Sequence, residues 1–371
     1  YKYRIYPIKE QEILINKTFG CCRFVYNQLL AKKIELYKTE QKTLSKFDCN
    51  NYCTQVLKKE YIWLKDVDKY ALSNSIFNLD FAYKNFFKRV KRGDNKLGFP
   101  KFKSKKNNYY SYKTTFSNNN IVIDFKNNKI KLPKLKWLKC KLHREFKGKI
   151  LNATISKVPS GKYFVSFTVE CNHEELSHNN NAIGIDLGIK NLLTTSEGEV
   201  FNNQKLTYEK EKQLAKLQRQ LAKKKISSNN YKKQNIIIAR LYEKMRNKRI
   251  DNLHKISSYL IKENQFIFSE DLNIKYMMQN KNLAKLIQDA SWYELIKQLE
   301  YKAEWNNRIY HKVNRYYPSS QLCNVCGYQN TDTKNLAVRF WICPECNTKH
   351  DRDKNAGINI LNQGLKDIGI V

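Results

Sequence analysis

Four cysteines in the C-terminal part of the chain form the pattern with the clearest chemical meaning. Cys323 and Cys326 make one Cys-x-x-Cys pair, Cys343 and Cys346 make another, and sixteen residues separate the two pairs. This spacing is typical of a tetrahedral zinc site. Because four thiolates complete the coordination of Zn²⁺, such a site is structural and offers no open position to a substrate. The sequence therefore predicts a zinc ribbon.

Two carboxylates follow the second cysteine pair. Asp351 and Asp353 flank Arg352 and stand directly before a stretch that predicts a helix. Either acid could be the N-cap of that helix, because a short carboxylate accepts hydrogen bonds from the first backbone N–H groups. The pair could also lie in a solvated turn. A functional role for these two acids becomes the better interpretation only if acids elsewhere in the chain can contribute to the same chemistry.

Two acids earlier in the chain meet that condition. Asp186 interrupts an apolar run that predicts a buried strand, where an unpaired acid costs several kcal/mol unless it is bonded or ligated. Glu270 follows a second buried-type strand, predicted over 265–269. With Asp353 at the start of the final helix, these acids match the way an RNase H-like sheet gathers carboxylates around two Mg²⁺ ions. Such ions prefer oxygen ligands and can activate water for phosphodiester hydrolysis.

The charge of the chain indicates a polyanionic partner. The 371 residues carry a formal net charge of +35, from 69 Lys and Arg against 34 Asp and Glu. Phosphate groups would relieve self-repulsion of this size, and an aromatic content of 13% supplies rings on which unpaired bases stack. For any single basic residue, a solvated surface charge is the competing interpretation. The candidate nucleic-acid contacts are Lys88, Arg89, Lys101, Phe102, Lys103, Lys105, Lys223, Lys224, Arg246 and Arg249.

Hydrophobic periodicity predicts the elements that carry these residues. The first half of the chain should contain a strand over 2–6, helices over 10–36, 49–60 and 69–90, and short strands over 120–124, 129–133, 151–157 and 163–170. Several short strands joined by turns favour a small barrel. A polar linker over 171–181 leads to a second β region, and long basic helices follow over 205–263.

The predicted compartment is the cytoplasm. No signal peptide opens the chain, and no apolar run reaches ~18 residues. The cysteines outside the ribbon should be small buried apolar residues in a reducing cell interior, rather than disulfides. They are Cys21, Cys22, Cys49, Cys53, Cys140 and Cys171.

These motifs together resemble the TnpB family, the transposon-encoded RNA-guided nucleases related to the type V CRISPR effectors. The matching stretches run nearly from end to end and comprise 3–11, 18–20, 22–27, 79–87, 98–105, 184–188, 270–275 and the ribbon with its tail at 350–353. The resemblance implies that Asp186, Glu270 and Asp353 are the catalytic acids and hold Mg²⁺. It also implies a guide RNA and a double-stranded DNA target, and a monomer is the favoured state.

The resemblance further implies an α+β multidomain architecture. A wedge-type β-barrel would comprise residues 1–9 and 107–180, and a helical recognition insert would comprise 10–106. An RNase H-like RuvC nuclease domain would comprise 181–317 and 348–371, and the zinc ribbon would comprise 318–347.

Two other classes of protein remain open from the residues. One is a relative that binds guide RNA and DNA without cutting, as a repressor would. The other is a zinc-ribbon accessory protein of a transposase that needs no RNA. Loss of one acid of the triad would mark the non-cutting state, and all three acids are present.

Overall fold

The computed structural model of the protein describes residues 1–106, 109–172, 175–335 and 337–370. They belong to two compact units, one over 1–172 and the other over 173–371. The predicted boundary at residue 107, between the helical insert and the barrel, lies outside the described residues. Within the described ranges, no helix has both the length and the apolar character that a membrane crossing requires.

In the first unit, a group of helices interrupts a sheet. The elements in chain order are β1 (Lys2–Tyr6), α1 (Lys9–Glu40), α2 (Lys46–Tyr52), α3 (Lys58–Glu60), α4 (Lys69–Lys91), β2 (Tyr110–Thr115), β3 (Val122–Asp124), β4 (Lys129–Leu132), β5 (Lys136–Lys141), β6 (Lys149–Lys157) and β7 (Tyr163–Glu170). The predicted helices are present, and Asp68 caps α4 by accepting a hydrogen bond from the backbone N of Tyr70 at 3.0 Å. Periodicity does not reveal β2, which is mostly polar. It does not reveal β5 either, because the exposed Trp137 interrupts the alternation of lysines with the buried Leu138 and Cys140.

The strands of this unit form one open antiparallel sheet, with the order β2-β6-β7-β1-β5-β4-β3. The expected closed barrel is therefore wrong, since β2 and β3 lie at opposite ends of the sheet. β2 packs against helices instead. The rings of Tyr110 and Tyr112 lie 5.7 and 5.6 Å from the ring of Phe19 in α1, and Asn74 in α4 donates a hydrogen bond to Thr115 at 3.0 Å. The helices cover the strand that a barrel would pair with β3.

The second unit carries the predicted acids and the cysteines. Its elements are β8 (Ala182–Leu187), β9 (Asn191–Thr195), β10 (Val200–Asn202), α5 (Leu206–Glu209), α6 (Glu211–Ala222), α7 (Asn229–Glu263), β11 (Phe266–Glu270), α8 (Ile274–Met277), α9 (Lys281–Ala290), α10 (Trp292–Trp305), β12 (Ile309–Val313), β13 (Phe340–Ile342), β14 (Lys349–Asp351) and α11 (Arg352–Asp367). The main sheet has the order β10-β9-β8-β11-β12. Strands β8, β11 and β12 are parallel, and β9 is antiparallel to both of its neighbours.

Helices cover both faces of this sheet. On one face, Ile185 of β8 and Ile267 of β11 share a core with residues of α7 and α10, including Leu260 and Leu299. On the other face, a smaller core holds Phe268, Val313 and Ile360, the last of these from α11. Parallel strands covered on both faces require nearly continuous apolar sequence, which explains why a single acid within β8 stands out.

The cysteines outside the ribbon are buried with one exception. Cys21, Cys22, Cys49, Cys53 and Cys140 are buried, as predicted. The prediction is wrong for Cys171, which is exposed. It lies just beyond β7, at the start of the polar stretch that the sequence predicts as a linker.

Candidate functional site

The sheet of the second unit brings two of the predicted acids side by side. Ile185 and Ser269 are register partners in the parallel strands β8 and β11, so Asp186 and Glu270 follow as neighbours. Side chains alternate between the faces of a strand. Because Ile185 packs with α7 and α10, Asp186 lies on the opposite face, which α11 covers. Glu270 shares that face, since Phe268, two residues earlier, packs against α11.

A close crossing of α11 over β8 brings the third acid to this position. A Cβ atom built at Gly184 would lie 2.1 Å from the carbonyl oxygen of Gly357, and one built at Gly357 would lie 2.9 Å from the backbone N of Ser196. Both contacts are with backbone, so neither position tolerates a larger residue without movement. The helix therefore lies directly on the strand, and Asp353, one turn before Gly357, lies near Asp186.

The electrostatics of the three acids show that they share one environment. Burial raises the pKa of Asp186 well above its ordinary range, and the nearby Glu270 and Asp353 raise it further. Arg352 and Arg339 act on that pKa in the opposite direction. Burial also raises the pKa of Glu270, and a hydrogen bond from Ser319 opposes that shift. A buried carboxylate whose pKa is raised by two neighbouring carboxylates favours a positive charge beside it.

The two acids at the start of α11 have different surroundings. Asp351 is the N-cap, and it accepts hydrogen bonds from the backbone N of Asp353 at 3.0 Å and of Lys354 at 2.9 Å. Asp353 accepts two hydrogen bonds from Arg339, at 3.0 and 2.8 Å, and Arg352 contacts it at 3.2 Å. The capping interpretation therefore applies to Asp351. Asp353 is the member of this pair that lies near Asp186 and acts on its pKa.

The four predicted cysteines form a tight cluster. Their sulfur atoms all lie within 4.8 Å of one another, with 3.6 Å between Cys323 and Cys346 and 3.5 Å between Cys326 and Cys343. In the described ranges, no other group of three or more cysteines, histidines or acids has all of its potential ligand atoms within that distance. The three acids are thus neighbours without being drawn together as closely as the cysteines.

Asparagines on α11 attach the cysteine-rich segment to the helix. Asn355 accepts a hydrogen bond from the backbone N of Asn324 at 3.0 Å and donates one to the carbonyl of Leu322 at 2.6 Å. Asn359 donates to the carbonyls of Ser319 and Leu322, at 2.8 and 2.7 Å. Both asparagine side chains are buried. The helix that carries Asp353 is therefore bonded to the residues on either side of Cys323.

The candidate nucleic-acid contacts occur in both units of the chain. In the first unit, Lys88, Arg89, Lys101, Lys103 and Lys105 are exposed, as is Phe102. The ammonium of Lys103 also lies 4.0 Å from the ring centroid of Tyr26. In the second unit, Lys223 and Lys224 follow the end of α6, and Arg246 is exposed on α7.

Arg249 differs from the other candidates. The sequence places it on the outer face of a basic helix, but its guanidinium forms an ion pair with the buried Asp289. It also donates a hydrogen bond to Thr207 at 3.3 Å. Arg249 therefore joins α7 to α9 and to α5.

Sequence reasoning does not identify two residues that contact the acids. Arg339 stands in the ribbon loop, and only the fold places it against Asp353. Ser319 donates a hydrogen bond to Glu270, yet nothing in the sequence distinguishes it from the adjacent Ser320. In both cases the contact is with a residue distant along the chain, and local pattern carries no signal of it.

Family models match three parts of the chain. The OrfB_IS605 model, described as "Probable transposase", matches residues 166–281. A Cas12f1-like TNB domain matches residues 292–360, which contain the cysteine cluster. A helix-turn-helix domain matches residues 1–42, although the structure has one strand and the single helix α1 in that segment.

Solved structures and curated relatives extend the match to the whole chain. The fold is that of the Cas12f1 class: the chain resembles the protein in the cryo-EM structure of the Cas12f1-sgRNA-target DNA complex, with a TM-score of 0.58 and 15% identity, covering 95% of this chain and 83% of that one. A relative from Streptomyces pristinaespiralis, provisionally named an RNA-guided DNA endonuclease, is 34% identical over 98% of this chain and 89% of its own length. InsQ of Escherichia coli K12, under the same provisional name, is 31% identical over 98% and 92%. The chain belongs to the TnpB family, which confirms the resemblance found in the sequence.

Proposed function

We propose that the protein is an RNA-guided DNA endonuclease of transposon origin. The observation that carries this proposal is the convergence of Asp186, Glu270 and Asp353, from three separate elements, in a chain with a net charge of +35. Membership of the TnpB family supports it. A guide RNA would select the target by base pairing, and the protein would bind the duplexes through their shape and backbone and recognise a short adjacent DNA motif.

The acids would form the cleavage site of an RNase H-like RuvC domain. The strand order of the second unit, a hairpin pair followed by parallel strands, supports that assignment. The donors fit Mg²⁺, because they are all oxygens and because burial and mutual repulsion raise the pKa of Asp186. When bound there, Mg²⁺ supplies Lewis-acid activation of water and of the phosphodiester. Asp186 and Glu270 would hold the ion, and Arg339 and Arg352 keep Asp353 in place beside them.

The cysteine cluster would hold a structural Zn²⁺ as a ribbon. A tetrahedron with Zn–S bonds of about 2.3 Å has edges of ~3.8 Å, close to the 3.5 and 3.6 Å that separate two of the sulfur pairs. His350 lies 3.1 Å from the sulfur of Cys323. All four positions are sulfur, so the site supplies rigidity rather than a place for substrate.

A second candidate is guided DNA binding without cleavage. The ion pairs of Asp353 with Arg339 and Arg352 favour it, because they neutralise one of the acids that cleavage would need. An accessory protein that needs no RNA is a weaker candidate, since it would not account for an acid in the middle of β8.

One experiment separates these functions. The full chain is purified from cells, and its bound nucleic acid is treated with RNase or DNase and sequenced. The complex is then given Mg²⁺ and target DNA with a randomised flank. We expect RNase-sensitive RNA, cleavage beside one preferred flank, and a loss of cleavage of at least ~100-fold in Asp186→Ala with DNA binding retained, because metal ligation contributes several kcal/mol.

The other outcomes are equally informative. Guided binding without cleavage in the parent chain would establish the second candidate. Absence of bound RNA would contradict both guided functions. If Asp186→Ala lost DNA binding in parallel with cleavage, Asp186 would not have the separate role in metal binding that we assign to it.

A further inference from the structure

Ser319 is a buried hydroxyl that contacts a catalytic candidate. Its side chain is 3% exposed, and its Oγ donates a hydrogen bond to Oε1 of Glu270. Ser319 precedes the first cysteine pair, forty-nine residues after Glu270. The bond engages one carboxylate oxygen and does not occupy Oε2.

The backbone of Ser319 is itself fixed. Its carbonyl accepts a hydrogen bond from Asn359 of α11 at 2.8 Å, and its N–H donates to the carbonyl of Tyr317 at 2.9 Å. Asn359 is 4% exposed. The backbone that carries the hydroxyl is therefore held by the same helix that carries Asp353.

A fixed hydroxyl on one oxygen of a carboxylate restricts the orientation of the group. Glu270 has three side-chain torsions, and without a partner its two oxygens would exchange places. Hydrogen bonds to ligating groups set the orientation of metal ligands, and their removal typically lowers metal affinity or activity by about 10- to 100-fold. The adjacent position offers a natural comparison, because Ser320 is the same residue type and no bond joins it to Glu270 in the described part of the chain.

We propose that Ser319 is a positioning residue, which holds Oε1 of Glu270 so that Oε2 faces Asp186 and a divalent cation. Through Asn359 it also joins this carboxylate to the helix of the third acid. This inference rests on the proposed function, since it assumes that Glu270 and Asp186 bind the ion.

The test measures Mn²⁺ binding by the full chain, using EPR, rather than cleavage alone. Matched variants are Ser319→Ala, Ser319→Thr and Ser320→Ala, with thermal unfolding as a check on folding. We expect Ser319→Ala to weaken the tightest Mn²⁺ binding by about 10- to 100-fold. Ser319→Thr keeps the hydroxyl and should recover most of the affinity, and Ser320→Ala should bind as the parent does.

Two results would overturn the inference in different ways. If the parent binds Mn²⁺ and Ser319→Ala binds it equally well, Ser319 does not position Glu270, and the proposed function is untouched. If the parent binds no Mn²⁺, the metal site fails and the role of Ser319 fails with it. Should Ser319→Ala not fold, Ser319→Cys, which has similar size and a weaker donor, takes its place, and unchanged affinity in that variant counts against the inference.

Discussion

The cysteine cluster and the carboxylate cluster lie in the same unit, yet they are assembled in opposite ways. The cysteines come from two tight turns: Gly327 N–H donates to the Cys323 carbonyl, and Asn347 N–H donates to the Cys343 carbonyl, both at 2.9 Å. Short-range geometry thus presets each sulfur pair. Asp186, Glu270 and Asp353 come from β8, β11 and α11, and each depends on the packing of long elements.

The two clusters also differ in how closely their potential ligand atoms approach one another and in how their charge is neutralised. The four sulfur atoms are within 4.8 Å of one another, whereas the acids are farther apart and Asp353 is engaged by two arginines. A soft, closed cage suits a permanent ion, and an open set of oxygens suits ions that arrive with a phosphate substrate. This difference is consistent with the function proposed above, in which the cysteine cluster serves stability and the carboxylate cluster serves chemistry.

The largest expected effect comes from removing one sulfur of the cysteine cluster. Cys343→Ser removes a fully buried sulfur that we propose as a zinc ligand. Zinc binding is itself folding free energy, worth about 10 kcal/mol or more in small zinc domains. We expect zinc content, measured by mass spectrometry, to fall from one ion per chain to near zero. Hydrogen exchange should rise across 319–351.

Cys171→Ser is the matched control, because Cys171 is exposed and lies outside the cluster. It should retain both the zinc and the exchange pattern. A Cys343→Ser protein that kept one zinc ion per chain would show that the remaining three sulfurs suffice, and the closed cage would be the wrong description.

A smaller effect is expected from disturbing the packing of α11 on β8, which brings the carboxylates together. Gly184→Ala places a methyl group against the backbone of Gly357, and overpacking of this kind costs about 1–3 kcal/mol. We expect the second unit to lose that stability in urea and cleavage to fall, because α11 must move away from β8. Gly20→Ala is the control, since nothing lies within 4 Å of its added atom and alanine favours a helix. Equal stability of the two variants would contradict the close crossing.

The smallest expected effect concerns the charge of Asp186 in the carboxylate cluster. Because burial and two neighbouring acids raise the pKa of Asp186, its ionised form destabilises the metal-free fold above that pKa. Asp186→Asn keeps the shape and removes the charge, so we expect the midpoint of thermal unfolding to rise by ~2 °C or more at pH 7 without Mg²⁺. The gain should vanish below about pH 4, where the aspartate is protonated in both states. A fall in the midpoint at pH 7 would show that the arginines outweigh the acids.

Much of the fold follows from sequence pattern, and the failures have identifiable causes. The helices α1, α4 and α7 have long apolar stripes, and β8 and β11 are nearly continuous apolar runs, so local periodicity predicts them. The closed barrel fails because strand pattern predicts strands but not how a sheet ends. The end of the sheet at β2 is set by tertiary contacts, such as those of Phe19 and Asn74 with this strand. These contacts join residues that are distant along the chain.

For the site, the sequence is enough to predict which residues could do chemistry. Spacing predicted the cysteines as a zinc site, and the placement of the three acids on predicted elements, together with the resemblance to a family, predicted them as a metal site. Tertiary packing sets the partners of those residues: the capping role of Asp351, the ion pairs of Asp353, the bond from Ser319 to Glu270 and the ion pair of Arg249 with the buried Asp289. The physical reason is the distance along the chain over which the contacting residues are spread. A metal-binding turn is encoded within a few residues, whereas the orientation and charge of a carboxylate depend on every element that packs around it.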